Sequence, residues 1–484
     1  MLSHPRETRP DAMVDIVRWA RGLTAADIPN DLYDGAKKRL LDLAGAALAG
    51  TQAEGIPQLL AVVRSWGGTG SSTALGTPSR TSLPLAVLLN ATIARALELD
   101  DVHERALLHP TVATAPIALA IAEQDAAIDG DRLVTCLVAA QELMCRLGLA
   151  PDYHVSGPLH RPRGWSFTYQ CGIFGGTLVA SLLYQLDERQ TLDALGNAYT
   201  ALAGNQQAIQ EAALAIRVQQ GVAAQTAVQS AEFARVGITG PHDILEGTFG
   251  WLSYWHGGSY DREALVGDLG RRWDLHDTSI KPYPVCRITH NAVDATLAAV
   301  AEAAMGSSED IDRLVVHVNS RESWDEVVHP LERRRQPRSP MDAQFSLPFV
   351  CAVAAVRGAP SLVHLSDDAV KDSEVLAVAQ RVEPVLDPGF EDVTGRVIPM
   401  PVTVDLHLRD GRVISHRSDT PTGHPTKPLG WSAVEAKVRG CANFGASPAD
   451  PAAVDQIIST IHTLESSPPG GLLALLARAR AIPV

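Results

Sequence analysis

The stretch LAVLLNATIARALELDDVHERALLHPTVATAPIALAIAE, residues 85–123, places a run of charged side chains between two apolar segments. Both apolar segments are rich in Ala and Leu and have the spacing of helices that are buried on most sides. The ionisable residues between them are Glu98, Asp100, Asp101, His103, Glu104, Arg105 and His109. Burying such groups costs free energy unless they pair or take part in chemistry. The stretch therefore predicts a helical fold built around an active site; a charged helix junction on the surface is the alternative.

The composition of the whole chain also favours helices. Aromatic residues make up only 5% of the 484 residues, whereas strands draw on aromatic and β-branched side chains. A chain of this length exceeds what one apolar core usually serves, so two domains are expected. We predict a mainly α fold.

Charge and cysteine usage exclude several classes of protein. The formal net charge of −14 argues against nucleic acid as a partner, because phosphates require a basic surface. The six cysteines are scattered, and the first residues show no secretory signal, which predicts reduced thiols in a cytoplasmic protein. The longest apolar run, residues 113–122, is too short for a membrane span and contains Pro116, so no membrane is expected.

The order of patterns along the chain predicts the domain organisation. Helical patterns cover residues 12–50, 130–149, 171–186, 191–204 and 212–237, with almost no strand signal before residue 260. Alternating segments then occur at 310–318 and 402–408, the second followed by a turn at Asp410-Gly411 and the strand VISHR. Two helices, FSLPFVCAVAAV and DSEVLAVAQRV, are predicted between these strands, and the chain is helical again from Ser432. We therefore predict a helical domain at 1–276, an α+β domain at 277–420, and a return to the helical domain at 421–484.

Two further stretches carry candidate site residues. The loop PDYHVSGPLHRPRGWSFTYQ, residues 151–170, supplies Arg163, Ser166 and Thr168 just before a helix, which suits an anion-binding loop or equally a solvated connector. The junction SIKPYPVCRITHNAVDA, residues 279–295, is the second. Its cationic, imidazole and phenol groups are Lys281, Tyr283, Arg287 and His290. Such groups at a hinge are placed to bind carboxylates, although a rigid linker with basic residues facing solvent would look the same.

These stretches together resemble the MmgE/PrpD family, which includes 2-methylcitrate dehydratase, cis-aconitate decarboxylase and iminodisuccinate epimerase. The Asp-Asp…His-Pro and Lys-Pro-Tyr-Pro-x-Cys-Arg blocks are specific in combination, and the resemblance covers nearly the whole chain. The blocks that carry it are AKKRLLDLAGAALAG, LLNATIARALELDDVHERALLHP, GWSFTYQCGIFGG, IKPYPVCRITHNAVDA, DAQFSLPFVCAVAAV and GHPTKPLGWSAVEAKV.

The resemblance implies a large all-helical domain, made of the N-terminal part and the C-terminal tail, with a smaller α+β lid domain inserted before the C-terminal helices. The active site would lie in the cleft between the two domains. The family's enzymes are typically homodimers and usually need no metal. By position, the family's acidic run falls on residues 98–101, its His-Pro imidazole on His109 and its lid lysine on Lys281.

The sequence departs from the family pattern at several positions. A residue that is often Thr is Val102, a catalytic histidine of the Gly-x-His-Pro-Thr block is replaced by Ser166, and an expected lysine is replaced by Ile216, with Arg217 beside it. Phe349 replaces a tyrosine and Arg95 replaces a histidine. A site without that histidine and lysine would bind a tricarboxylate less well, so the natural substrate is expected to carry fewer carboxylates.

The reactions of the family share proton transfer at a carbon beside a carboxylate, which requires a base, an acid and cations that stabilise the spreading charge. Our candidate catalytic residues are Asp100, Asp101, His103, His109, Lys281 and His290. Our candidate substrate-binding residues are Glu98, Arg163, Ser166, Thr168, Tyr283, Arg287, Gln344 and Ser346. We expect neither metal nor cofactor.

The sequence thus predicts a metal-independent lyase or dehydratase that acts on a small di- or tricarboxylate. An epimerase of a substituted succinate and a degenerate non-catalytic family member are the alternatives within the family. From another class, a metal-dependent hydrolase with Asp100, Asp101, His103 and His109 as ligands has the same residue types.

Overall fold

The computed structural model describes residues 9–151, 164–318, 323–387 and 401–480. Helices make up most of this part of the chain, which confirms the predicted mainly α fold. None of the described helices is long and apolar enough to cross a bilayer. The N-terminal helices are α1 (Ala12–Gly22), α2 (Asn30–Gly50), α3 (Ile56–Trp66), α4 (Leu83–Arg95), α5 (Pro110–Ala122), α6 (Gly130–Leu149), α7 (Phe167–Leu183), α8 (Glu188–Thr200), α9 (Gln207–Gln210), α10 (Ala215–Arg235), α11 (Trp251–His256) and α12 (Arg262–Val266).

Small residues let the central helices of this body pack on all sides. Every residue of α5 is buried, and so is every residue of α7 except Thr168. A Cβ at Gly176 would lie 2.8 Å from the Cβ of Ala227 on α10, so the two helices approach this closely only because position 176 is glycine. The close packing holds α4, α5 and α10 rigidly, and each of these helices ends or begins at the site described below.

The C-terminal tail packs against this helical body. Its helices are α18 (Trp431–Ala442), α19 (Pro451–His462) and α20 (Leu472–Ala479), and α18 packs along α2. The Lys437 ammonium lies 2.5 Å from the buried Asp42 carboxylate of α2. Lys437 also donates a hydrogen bond to the carbonyl of Leu99, so the tail supports the loop that precedes α5.

The inserted unit contains a four-stranded sheet of order β6–β5–β7–β8, with β5 at Ile311–Val318, β6 at Val382–Leu386, β7 at Val402–Leu408 and β8 at Val413–Ser418. Strands β7 and β8 form the antiparallel hairpin predicted from the Asp410-Gly411 turn. The helices of this unit are α13 (His290–Ala303), α14 (Leu331–Arg335), α15 (Pro340–Gln344), α16 (Leu347–Arg357) and α17 (Ser373–Ala379), with a π-helical turn at Trp324–Val328.

The sequence did not predict strand β6. The helical pattern DSEVLAVAQRV was extended too far, because α17 ends at Ala379 and β6 begins at Val382 and pairs in parallel with β5. Pro384 makes the sequence of this segment untypical of a strand, since proline cannot donate a hydrogen bond to a neighbouring strand and is tolerated only at a sheet edge. Here β6 is an edge strand, so Pro384 is accommodated.

The two units have separate apolar cores. The first core joins the N-terminal helices to the C-terminal tail and includes Ile280. The second core joins the sheet to its helices, and its residues lie in the sequence between Tyr283 and Ile414. A short antiparallel ladder connects the units, because β3 (Val102–His103) of the helical body pairs with β4 (Thr278–Ser279). The chain therefore passes from the first apolar core to the second within a few residues of this ladder.

Candidate active site

A cleft lies where the helical body meets the inserted unit. It has a volume of about 100 Å³ and is partly open to solvent. The helical body contributes one wall, which includes Arg95, Glu98 and His109, and the inserted unit contributes the facing wall, which includes Lys281 and Arg287. The two charged clusters found in the sequence thus line one cavity.

The ends of two buried helices form the first wall. Helix α4 ends at Arg95, where a cation is favoured by the helix dipole. His109 is the N-cap of α5 and is followed by Pro110, which has the backbone angle of a first helical residue. Between the helices, Glu98 has a φ of 55°, a left-handed conformation that costs a non-glycine residue of the order of 1–3 kcal/mol. The chain is strained where its acidic residues turn into the cleft.

The ladder between β3 and β4 sets the position of the second wall. Val102 pairs with Ser279 and His103 pairs with Thr278, so Lys281 leaves the ladder beside the acidic segment. The Lys281 ammonium donates to the Glu98 carboxylate at 3.1 Å and to the Glu98 carbonyl at 3.3 Å. These two contacts hold the strained turn at Glu98.

His109 and Asp100 form an imidazole–carboxylate pair. The Nδ1 atom of His109 lies 2.7 Å from the carbonyl of Asp101 and 3.1 Å from Oδ2 of Asp100. Both neighbours are acceptors, so Nδ1 carries the proton and Nε2 carries the lone pair. The Asp100 side chain is fully buried, whereas the His109 side chain is 13% exposed and reaches the cleft. This arrangement orients an imidazole as a base toward the cavity.

The charge state of this pair follows from burial and its neighbours. Burial lowers the pKa of His109 below its ordinary value, although Asp100 opposes the shift, so the imidazole is neutral at neutral pH. Burial works against the Asp100 carboxylate, but Arg95 and His109 together hold its pKa well below the usual range. A neutral base beside an ionised carboxylate is the protonation state that proton abstraction requires.

Arg95, Glu98 and Lys281 form a network of ion pairs that joins the two walls of the cleft. The Arg95 guanidinium lies 2.5 Å from Glu98 and 3.1 Å from Asp100. Burial disfavours the ionised form of Glu98, but Arg95 and Lys281 bring its pKa below its ordinary value. Both cations are thus held in place before any substrate binds.

Arg287 is held by a separate carboxylate. Its Nε donates to Glu104 at 2.9 Å, NH1 donates to the carbonyl of Thr422 at 2.9 Å, and NH2 donates to the Ser279 hydroxyl at 3.2 Å. Glu104 belongs to the helical body, so this buried ion pair also connects the two units.

Besides Asp100, which lies behind His109, three predicted catalytic residues do not line the cleft. His103 accepts a hydrogen bond from the Ala106 amide at Nδ1 and donates from Nε2 to the carbonyl of Asp274, so both ring nitrogens are occupied. The Nδ1 of His290 accepts from Arg287, and its Nε2 donates to the carbonyl of Val285, 3.3 Å away; its pKa is well below the usual value because the ring is buried beside Arg287. These contacts support structural roles for both histidines, and proton transfer by either of them stays a prediction.

Asp101 is the third of these residues. Its carboxylate accepts hydrogen bonds from the amide and hydroxyl of Thr111 at the start of α5, and burial raises its pKa to about 7. It therefore stabilises a helix start, as a capping residue does. Its backbone carbonyl, rather than its carboxylate, contacts His109.

The predicted substrate-binding residues also divide into two groups. Glu98, Ser166, Thr168 and Arg287 line the cleft. Three others lie outside the lining and make structural contacts: the Tyr283 hydroxyl donates to Asp294, the Gln344 amide donates to the carbonyls of Leu97 and Pro284, and the Ser346 hydroxyl donates to the carbonyl of Arg334. Arg163 lies outside the described residues.

The sequence analysis missed several residues of the cleft. Arg95 was noted only as a departure from the family pattern, although a cation at the end of an apolar helix before an acidic run is a signal of pairing. Gln220, Cys286 and Glu326 also line the cavity. Nothing in the sequence distinguishes Gln220 from the other amides of α10, because its role depends on helix packing. Glu326 lies in a π-helical turn, an irregularity that is frequent at functional sites.

Within the ranges that the structure describes, no group of three or more His, Cys, Asp or Glu side chains is arranged to hold a metal ion. The acidic and imidazole groups that the metal-dependent alternative required are instead engaged separately. Asp100 pairs with Arg95 and His109, and Asp101 binds Thr111.

Comparison with known proteins covers most of the chain. Residues 14–263 match the model of the MmgE/PrpD N-terminal domain, and residues 283–463 match that of the MmgE/PrpD C-terminal domain. A cis-aconitate decarboxylase of Aspergillus terreus is 27% identical over 429 residues, which cover 84% of this chain and 85% of that protein. A cis-aconitate decarboxylase of Homo sapiens is 24% identical over 433 residues, which cover 87% of this chain and 86% of that protein. A cis-aconitate decarboxylase-like protein of Aspergillus oryzae is 24% identical over 480 residues, 96% of either chain.

Proposed function

The chain belongs to the MmgE/PrpD family, and on that premise we propose that it is a lyase that removes a proton from the carbon next to a carboxylate of a small substrate. The observation that carries the proposal is the neutral His109 imidazole, held by Asp100 and facing a cleft that contains Arg95 and Lys281. The decarboxylase names of the relatives support a lyase. Dehydration is the reaction that we place first, and the homodimer and cytoplasmic location stay predictions.

In the proposed reaction, Nε2 of His109 takes the proton from the carbon beside the carboxylate. The electron pair of the broken C–H bond spreads toward that carboxylate, where the charges of Arg95 and Lys281 stabilise it. The pair then forms a carbon–carbon double bond as the C–O bond to a β-hydroxyl breaks. The hydroxide accepts the proton from the His109 imidazolium and leaves as water, which returns His109 to its neutral form.

This mechanism predicts the pH dependence of turnover. The base must be neutral, and burial lowers the pKa of His109, so we expect kcat/KM to fall only below the usual histidine pKa of about 6.5. Asp100 stabilises the imidazolium, so in Asp100→Asn the pKa of His109 should decrease further. The acid limb should move to lower pH while the maximal rate drops by roughly 10²-fold or more. A profile of kcat/KM between pH 4.5 and 8.5 for both proteins measures this, and an acid limb that moves to higher pH in the variant would contradict the assignment.

An epimerase is the second candidate, because groups that exchange protons lie on the facing wall as well. The Cys286 thiol lies 3.6 Å from a carboxylate oxygen of Glu326, and both residues line the cleft opposite His109. Burial raises the pKa of the Cys286 thiol, so it stays protonated and is suited to donate rather than to attack. A base on one wall and a donor on the other is the arrangement that inversion at a carbon requires.

One experiment separates these reactions. The purified protein is incubated in D₂O with substituted succinates, citrates, aconitates and branched hydroxy monocarboxylates, and proton NMR follows each compound. Loss of an α-proton signal with a new vinyl signal supports the lyase, whereas deuterium incorporation with inversion and no elimination supports the epimerase. A protein that leaves every compound unchanged contradicts both and favours the non-catalytic alternative.

A further inference from the structure

The charges of the cleft are already balanced by the protein itself. Each of the three cations has a carboxylate of this chain within 3.1 Å: Asp100 for Arg95, Glu98 for Lys281 and Glu104 for Arg287. Glu326 adds a third carboxylate to the lining beside Glu98 and Glu104, and the His109 imidazole is neutral. These three carboxylates and the buried Asp100 balance the three cations, so no surplus of positive charge is left to offset a polyanion.

The N–H donors of these cations that the protein's own carboxylates leave unused suffice for one substrate carboxylate. Lys281 uses two of its three ammonium hydrogens on Glu98. Arg95 makes both of its ion pairs through Nη1, so Glu98 and Asp100 bind the same end of its guanidinium group. A substrate carboxylate placed between Lys281 and Arg95 would accept the hydrogen bonds that these two cations still have available to donate. A second or third carboxylate would have to compete with Glu98 or Glu104 in a poorly hydrated space, which is unfavourable.

The rest of the lining combines apolar side chains with uncharged polar ones, which include Ser166, Thr168, Gln206 and Gln219. Ile209 and Ile216 come from the helical body, and Ile288 and Phe345 come from the inserted unit. Apolar side chains on both walls favour a substrate whose body removes hydrocarbon surface from water. Apart from Arg95, Lys281 and Arg287, no residue of the described lining carries a positive charge that would offset a second carboxylate.

One buried polar group in the lining has no partner. Gln220 is 3% exposed, and its Nε2 has no hydrogen-bond partner among the described residues. Buried amide donors are nearly always paired, so an unpaired one in a cavity wall indicates where a ligand acceptor binds. The neutral amide can donate to a hydroxyl or carbonyl oxygen, and it adds no positive charge that would offset a second carboxylate.

We propose that the substrate is a branched monocarboxylate: its carboxylate binds between Lys281 and Arg95, its alkyl body packs against the isoleucines and Phe345, and a hydroxyl oxygen accepts a hydrogen bond from Gln220. This rests on the proposed function and narrows it. The substrate then carries fewer carboxylates than the di- or tricarboxylate that the sequence predicted.

A graded series of ligands tests the charge argument. Isothermal titration calorimetry at pH 7.5 and constant ionic strength compares 2-methylbutanoate, methylsuccinate and tricarballylate, which carry one, two and three carboxylates. We expect affinity to fall along the series, with 2-methylbutanoate binding at least about tenfold more tightly than tricarballylate. Tricarballylate binding as tightly as 2-methylbutanoate overturns the proposal, and so does a lack of measurable binding by all three.

A substitution in the apolar wall should reverse this order. Ile216→Lys adds an unpaired cation to the lining, so tricarballylate should gain roughly tenfold or more in affinity and 2-methylbutanoate should lose affinity. Ile216→Met is the matched control, since it has similar length without the charge, and it should keep the wild-type order. Unchanged tricarballylate affinity in Ile216→Lys would show that charge does not limit binding and would overturn the proposal.

The hydroxyl contact has its own comparison. In the wild type, 3-hydroxy-2-methylbutanoate should bind several-fold more tightly than 2-methylbutanoate, and in Gln220→Leu this advantage should disappear. An advantage that persists in the variant excludes Gln220 as the donor. The same hydroxy acid separates this proposal from the proposed lyase function: if it binds best but neither exchanges its α-proton in D₂O nor loses water, the substrate class stands and the lyase function fails.

Discussion

Replacing His109 by Gln should lower kcat by roughly 10²–10⁴-fold while the protein stays folded, because this imidazole is the one placed to take the substrate proton. The His109 side chain reaches the cleft and makes its described hydrogen bond through Nδ1 to a backbone carbonyl. The loss of stability should therefore be small. Steady-state turnover on a compound that reacts in the D₂O screen, together with the melting temperature, measures both effects.

His103 provides the matched control, since it lies in the same segment but binds only backbone groups away from the cleft. His103→Asn removes the donor to the carbonyl of Asp274 and should cost about 1–3 kcal/mol of unfolding free energy. The kcat of the folded variant should stay within a few-fold of the wild type. A variant of His103 that remains stable but loses turnover would reverse the roles that the geometry gives the two histidines.

The contrast between these two histidines shows what the sequence did and did not predict. Helix spacing in residues 85–123 predicted α4 and α5, and the charged residues between them predicted the site, because apolar periodicity and the cost of burying charge are local properties. Which imidazole reaches the cavity depends on the pairing of Val102 and His103 with β4, more than 170 residues away. No pattern near position 103 or 109 contains that information.

The same reasoning applies to the facing wall. The residue types from Lys281 to His290 predicted a carboxylate-binding cluster, but they did not predict that Arg287 is already paired with Glu104 or that His290 serves as an acceptor for Arg287. Gln220 and Glu326 enter the cleft through helix packing and a π-helical turn. The fold class followed from composition and spacing, whereas the division between cleft and support required the three-dimensional structure.

The ion pair between Arg287 and Glu104 should be the largest single contribution to stability near the cleft. Both side chains are buried, Glu104 lies in the helical body, and Arg287 lies in the inserted unit. Arg287→Met leaves Glu104 as a buried carboxylate whose described cation is gone, which should cost about 3–5 kcal/mol of unfolding free energy. For a chain of 484 residues, the melting temperature should fall by about 3–5 °C.

The double variant Arg287→Met, Glu104→Gln separates the cost of the unpaired charge from the loss of Arg287 itself. Neutralising Glu104 removes the uncompensated carboxylate, so more than half of the lost stability should return, as a double-mutant cycle of melting temperatures would show. A double variant as unstable as Arg287→Met alone would mean that the hydrogen bonds of Arg287 to Thr422 and Ser279, rather than its charge, hold the units together. Because Glu104 also lines the cleft, only a KM increase in the double variant that exceeds that of Glu104→Gln reports the direct contribution of Arg287 to substrate binding.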